Sequence, residues 1–456
     1  MAVANTFTEL DGLFKVRYPD ALENAIPELT YLQQMAAFKA DKRLGDVFRQ
    51  PVILQREHGF TKLQRADGLV TLVAPVAGQI KPAEVKGYQN IGRAQVEYST
   101  IFSSQDKMAA FDNSVGVVVN NLLDSARHLL ESQLMWGQSN KGYAKLDTTH
   151  TAAQPILKVD PNHFAAGLWN GMEGASLVFY TDAAPMVQRV GGAGSDRGTI
   201  ASVDPDAAIP TITLVGASGT DYPNDIAAGD LVFLAGDTHT LTNPATDIAS
   251  FNRTTDRSNW SVMVGLDAIM TSGLGSPDPA TLFNISSTSY QLWKSVNVDC
   301  GGLDLSFDVL LRAFARVSSK GGTGEYCVFV SPLTFANLMS DQGALRRYEK
   351  ADSPTKYEVG AKDITFYTQT GSMKVIGHPL EKQGFAHGFP IRKLKRIGTT
   401  DITFDSAKME GVSGNLSQFF FQIPDKNGVE VRCYSEQSLF TDSPGRCFRI
   451  YNIINS

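Results

Sequence analysis

The 456-residue chain has no apolar run near the ~20 residues that a membrane-crossing helix requires, which excludes a helical span. Its four cysteines, Cys300, Cys327, Cys433 and Cys447, lie far apart with no Cys-x-x-Cys pair. A disulfide framework is therefore excluded, and the expectation is reduced, partly buried thiols in a cytosolically made protein. Charge is also sparse, at 19% of residues, with 41 basic against 47 acidic side chains and a net charge of -6. That balance excludes a nucleic-acid binder working through bulk positive charge. The opening MAVANTFTELDGLF has neither a basic nor an apolar region, so no secretory signal is read.

Catalytic signatures are missing as well. The histidines, His58, His128, His150, His163, His239, His378 and His387, include no pair at the i, i+4 spacing of a helical metal site. The Gly192 to Gly198 loop has its third glycine one place late and a strand behind it, which defeats a dinucleotide reading. No Gly-Lys-Ser/Thr occurs, and neither Gly216-Ala217-Ser218-Gly219 nor Gly411-Val412-Ser413-Gly414 is spaced as a nucleophile elbow. Asp204, Asp206 and Asp221 lack the regular spacing of a calcium loop. No catalytic, metal or cofactor residue is assigned. The basic run Arg392, Lys393, Lys395, Arg396 reads as a solvated loop, with contact to an acidic neighbour or to nucleic acid as the alternatives. Arg346, Arg347, Glu349, Lys350 and Asp352 form a mixed-sign patch, either a helix surface or one side of a subunit contact.

What the chain does have is length in two elements. From Ser103 to Gly137 no proline occurs, and Met108, Phe111, Val115, Val118, Leu122, Ala126, Leu129 and Gln133 mark one face of a helix. Lys107, Asn113, Asn120, Asn121, Asp124, Arg127 and Glu131 fall on the other. Ser103 with Asp106 has the form of a capping box, and Gly137 stands where a left-handed cap would sit. At ~1.5 Å per residue this is a rod of about 45–50 Å. Before it, Phe48 to Phe102 reads as a ribbon: VILQREHGFTKLQ and LVTLVAPVAG as strands around a turn at Ala66-Asp67-Gly68, then RAQVEYSTIF, with Gly78, Pro82, Gly87 and Gly92 breaking the return path. A two-stranded ribbon of that length is barely stable alone, and its edges must pair or lie on a neighbour.

The remaining segments are shorter. Helical pieces are expected at Pro19 to Asn24 and Pro27 to Phe38, too short to be a domain. Lys141 to Met172 is irregular. Between residues 173 and 271, the runs LVFYT, GTIASVD, TITLVG, DLVFLAG and WSVMVGL read as five strands of a small barrel or sandwich. Ser306 is placed to cap a helix over FDVLLRAFARV, a strand YCVFV follows, and Ser331-Pro332 opens the next helix. Hairpins at Lys362 to His378 and Leu416 to Phe440 and a last strand, RCFRIYNII, complete an α+β pattern.

The order of these pieces, with the phrases FRQPVILQREHGF (48–60), LSFDVLLRAFARV (305–317), VFVSPLTFANL (328–338) and SLFTDSPGRCFRIYNI (438–453), resembles the major capsid proteins of tailed bacteriophages. Their Hong Kong phage-type fold is shared with encapsulins and herpesvirus capsid floors. The resemblance implies an N-terminal arm at 1–47, an E-loop hairpin at 48–102, a spine helix with part of the P-domain at 103–172, an inserted β-barrel at 173–271, an A-domain at 272–400 and closing P-domain strands at 401–456. It implies a subunit that self-assembles into pentamers and hexamers of an icosahedral head around double-stranded DNA, formed in the host bacterial cytoplasm, with no membrane contact. Scaffold, portal and cement proteins are the implied partners. No charged helical segment precedes the arm, so a fused scaffold is expected to be absent or already cleaved, with a separate scaffold protein as one alternative. Subunit contacts are expected at Arg56, Glu57, Phe60, Lys62, Arg65, Arg346, Arg347 and Glu349. The alternatives are an encapsulin-type shell around enzyme cargo and a multi-domain hydrolase whose barrel is a binding module.

Overall fold

The computed structural model describes residues 30–40, 47–63, 69–99, 114–151, 154–190, 196–240, 243–247, 249–251, 260–275, 278–340, 364–368, 370–404, 420–423 and 426–455. The capping pair Ser103 and Asp106, the piece Pro19 to Asn24, the turn at Ala66 to Gly68 and the patch at Arg346 to Asp352 lie outside these residues. The chain divides into two compact units, a smaller one containing Ile91–Ala126 and Ile402–Tyr434 and a larger one containing Leu29–Asn90, Arg127–Asp401 and Ser435–Ser456.

In the larger unit the chain begins with a single helical turn, α1 (Tyr31–Met35). The helix expected to reach Phe38 stops three residues early, because Ala36 turns extended and β1 (Ala37–Ala40) pairs in parallel with a later strand. Next come β2 (Val47–Gln55) and β3 (Gln79–Lys86), antiparallel; β4 (Tyr88–Glu97) begins here and, from Ile91, belongs to the smaller unit. The expected strand LVTLVAPVAG is not one: only Val76 forms a bridge, to His58. The return strand is instead the stretch around Pro82, which had read as a break. Pro82 faces Pro51 across the ladder. Two residues on, the Glu84 N–H points away from β2 and donates to the Phe283 carbonyl at 2.9 Å. Pro82 shares that outward phase, so the donor it lacks is not one the ladder uses.

The long helix α2 runs Ser114–Trp136. Its last turns are surrounded: every residue from Leu130 to Trp136 is buried, including Glu131, which the helical face had placed on the polar side. Gly137 is not the left-handed cap. That conformation falls to Gln138 (φ 53°), whose amide donates to the Val262 carbonyl at 2.7 Å. Gly137 answers a different need, since a Cβ there would sit 2.3 Å from the Met263 carbonyl oxygen.

Six short strands follow: β5 (Ala144–Lys145), β6 (Ile156–Lys158), β7 (Ser176–Tyr180), β8 (Gly198–Asp204), β9 (Thr211–Leu214) and β10 (Leu231–Leu234). Their order is β5-β10-β7-β8-β9-β6. The two ends meet through a Leu146–Val159 bridge, with Asp147 N–H donating to Lys158 and Asp160 N–H to Lys145, both at 2.9 Å, so the strands close into a ring. Two of the six precede residue 173. The expected strand WSVMVGL is absent; Trp260 and Val262 cover Val178, Tyr180, Leu231 and Phe233, and α3 (Leu266–Thr271) begins at Leu266.

The second sheet of this unit comprises β11 (Val296–Leu303), β12 (Gly324–Val330), β13 (Ile364–Thr368), β14 (Gly371–Gly377), β15 (Phe385–Pro390) and, last in the chain, Phe448–Ile453, in the order β11, Phe448–Ile453, β15, β12, β14, β13. Helix α4 (Phe307–Ser319) lays Phe307, Leu310, Phe314 and Val317 on it, and α5 (Pro332–Ser340) adds Leu338. Both caps are as expected: Val309 N–H donates to Ser306 Oγ and Thr334 N–H to Ser331 Oγ at 3.2 Å. Strand β16 (Leu394–Thr403) takes β1 on one edge and the later part of β18 (Gly428–Thr441) on the other. The basic run is therefore not a solvated loop. Arg396 is buried and bonded to Asp401 and Gln437, and Lys393 reaches Asp442.

In the smaller unit, the first part of β18 lies between β17 (Phe420–Gln422) and β4. Gln95 donates to Glu430 at 3.0 Å, and Arg93 and Arg432 share that carboxylate. Among the described residues no helix is long and apolar enough to cross a membrane.

Candidate functional site

The β2–β3 ribbon has one buried end and one bare end. Near its base Phe48 faces Val85 and both are buried, with Ala83 beside them. Glu84 pairs with Arg49 at 3.1 Å and accepts from Asn284 at 3.1 Å, and the Lys81 amine stands 5.3 Å from the Tyr290 ring centre. Beyond that the support ends. Ile53 opposes Ile80 on an open face, 71% and 65% exposed. Phe60 (80% exposed), Leu63, Leu69, Val70, Leu72, Val73 and Val76 continue the bare apolar surface. Single exposed hydrophobes are ordinary, but nine between Ile53 and Ile80 are not.

Of the expected contact residues, Arg56, Glu57, Phe60 and Lys62 are all exposed, in the segment that follows β2. Arg65, Arg346, Arg347 and Glu349 lie outside the described residues. The sequence reading named the charges and one aromatic and passed over the aliphatic side chains. Their signal was present in VTLV and VILQ, β-branched runs with no second run to pack against.

A second constellation was missed entirely. Asp267, Glu381, Lys382 and His387 are fully buried, with Arg449 nearly so, at the junction of α2, α3, β15 and the last strand. His387 Nδ1 lies 2.9 Å from a Glu381 oxygen and its Nε2 3.2 Å from Asp267. Arg449 contacts Asp267 at 3.0 Å, and Ser139 donates to the same carboxylate. Lys382 donates to the Gly142 carbonyl at 2.6 Å and stacks 3.8 Å over Trp136. Burial favours the neutral forms, and the charged neighbours answer it. It would raise the Asp267 carboxyl, but Arg449, His387 and Ser139 hold it well below the usual carboxylate range. Burial pushes Lys382 down to about 7, even beside Asp267 and Glu381. Against burial, Glu381 and Asp267 lift His387 to about 9. No substrate reaches these groups, and among the described residues no cluster is arranged to hold a metal ion. The constellation ties elements together.

No protein-family model and no curated protein matches the sequence. Among solved structures, the capsid asymmetric unit of cyanophage A-1(L) contains a similar chain, at TM-score 0.54 and 12% identity, over 98% of this chain and 99% of that one. Looser likenesses, too weak to bear weight, are the capsid of the native GTA particle (TM-score 0.47, 8% identity, covering 99% and 100%) and the holo-SrpI encapsulin of Synechococcus elongatus PCC 7942 (TM-score 0.41, 10% identity, covering 100% and 98%). At 12% identity the first likeness establishes the fold and nothing further: along almost its whole length, this chain has the fold of a phage major capsid protein.

Proposed function

We propose that this chain is a major capsid protein, assembling as pentamers and hexamers into an icosahedral head that encloses double-stranded DNA. The observation that carries the reading is the bare apolar end of the β2–β3 ribbon on a chain with a capsid fold. That surface lacks a partner among the described residues of its own unit, and identical neighbours repeating around closed symmetry axes supply one. In this reading residues 48–102 are the E-loop, α2 is the spine helix, 1–47 is the arm, and 272–400 and 401–456 are the A-domain and the closing P-domain strands. The strand ring, expected at 173–271 and beginning here at Ala144, is an insertion on the shell. Arg56, Glu57, Phe60, Lys62 and Arg65, with Arg346, Arg347 and Glu349, are contacts between copies. The role is structural and needs no reaction. A net charge of -6 suits a wall that must not grip its genome, since strong phosphate neutralisation would bind the DNA to the lining. Scaffold, portal and cement proteins are the further partners, and the mature location is the virion.

The test is Phe60→Asp combined with Ile80→Ser. Both positions are exposed, so the subunit keeps its circular dichroism and melting temperature, while sedimentation shows particles replaced by small species. Particles that form undiminished contradict the proposal.

A further inference from the structure

We propose that residues 30–40 are a docking element that joins and leaves the body of the larger unit as one piece, held by two opposite buried charges, Glu131 at the front of α1 and Arg396 at its rear. This does not rest on the capsid reading.

A five-residue helix does not form alone, because one turn is mostly nucleation cost and leaves its first N–H and last C=O groups without partners. Here those groups are taken up by the body. The Glu131 carboxylate accepts from Leu32 N–H at 2.5 Å and Gln33 N–H at 3.0 Å. The Arg396 guanidinium donates to the carbonyls of Ala36 at 2.9 Å and Gln33 at 3.4 Å, and lies 5.7 Å from the Phe38 ring centre. A negative group at the start and a positive one at the end match the helix dipole. The Gln33 side chain adds one bond, to the Arg127 carbonyl at 2.6 Å.

The receiving groups also have partners in the body, although the Tyr31 ring of the segment packs on His378 at 5.2 Å. Leu380 N–H donates to Nδ1 of buried His378, which leaves the ring proton on Nε2, facing Glu131 at 3.2 Å. Arg396 is fixed by Asp401 at 2.8 Å and Gln437 at 2.9 Å. Both charges therefore keep a partner when the segment departs, which avoids the large penalty of a buried ion left alone. The segment's own apolar share is small: Leu32 and Ala36 are buried, whereas Ala37, Lys39 and Ala40 are exposed on β1, at the edge of its sheet. Its removal leaves the pairing of β16 with β18 untouched.

Hydrogen exchange on the full chain tests this. In the unaltered protein the amides from Leu32 to Ala40 are expected to exchange together, at least ~10-fold faster than those of β12 and β15. Glu131→Gln and Arg396→Gln should each speed that segment by about tenfold again while the sheet keeps its protection. Exchange of the segment at the rate of the sheet overturns the proposal, as does loss of protection throughout the chain in either variant or no change in both.

Discussion

Lys382 and His387 sit in one buried cluster but answer pH in opposite directions. Burial holds the Lys382 amine at about 7 against its ordinary 10.5, so between those values the folded chain binds fewer protons there than the unfolded chain, and stability from this group rises with pH. His387, lifted to about 9 from 6.5, contributes stability that is fully present below its unfolded value and is lost as pH rises through 9. Lys382→Met should therefore gain on the parent protein toward acid, its melting-temperature advantage larger by several degrees near about pH 6 than near about pH 9. His387→Gln should show its greatest loss at the acid end. A flat difference in both variants would contradict the assignment. Gly137→Ala, which sets a methyl against the Met263 and Gln133 carbonyls, should cost about 1–3 kcal/mol in urea unfolding. None of the cluster was legible in the sequence. Asp267, Glu381 and Arg449 look like any surface charges until the fold brings 267, 381 and 449 to one point. Gly137 was legible as a special position, but for the wrong reason, because a close approach and a left-handed cap leave the same residue in the sequence.

Among the elements, those defined by local signals were read closely. Caps at Ser306 and Ser331 and the strands YCVFV and RCFRIYNII depend on short-range chemistry, and α4, α5, β12 and the last strand follow them. Errors fell where partners decide. A β-branched run at residues 69–78 stays irregular because, among the described residues, only Val76 finds a strand partner, and a stretch holding Pro82 becomes a strand because the missing donor faces outward. Pro82 and its partner Pro51 blunt both outer edges of the ribbon. Restoring the donors with Pro51→Val and Pro82→Val should leave β2–β3 paired and open its edges to uncontrolled strand addition, visible as amorphous material by light scattering. Unchanged solubility would remove this role from the proline pair. The docking of α1 belongs to the same scale: its helix is specified by Glu131 and Arg396, far from it in sequence, which is why its end was misplaced.

For the whole molecule, the order of arm, ribbon, long helix and α+β body was enough to point to the fold, because that order is set by elements whose existence is locally encoded. A small barrel or sandwich was expected from residue 173, but β5 and β6, which complete the ring, were not visible, since they are two and three residues long. On the proposed function, other copies of the same chain finish the ribbon's apolar end. Electron cryomicroscopy of the purified full chain measures this most directly. Closed icosahedral shells are predicted, with a neighbouring copy covering Ile53, Phe60, Leu72 and Ile80. Discrete monomers under all assembly conditions, or shells in which those side chains stay bare, would contradict it.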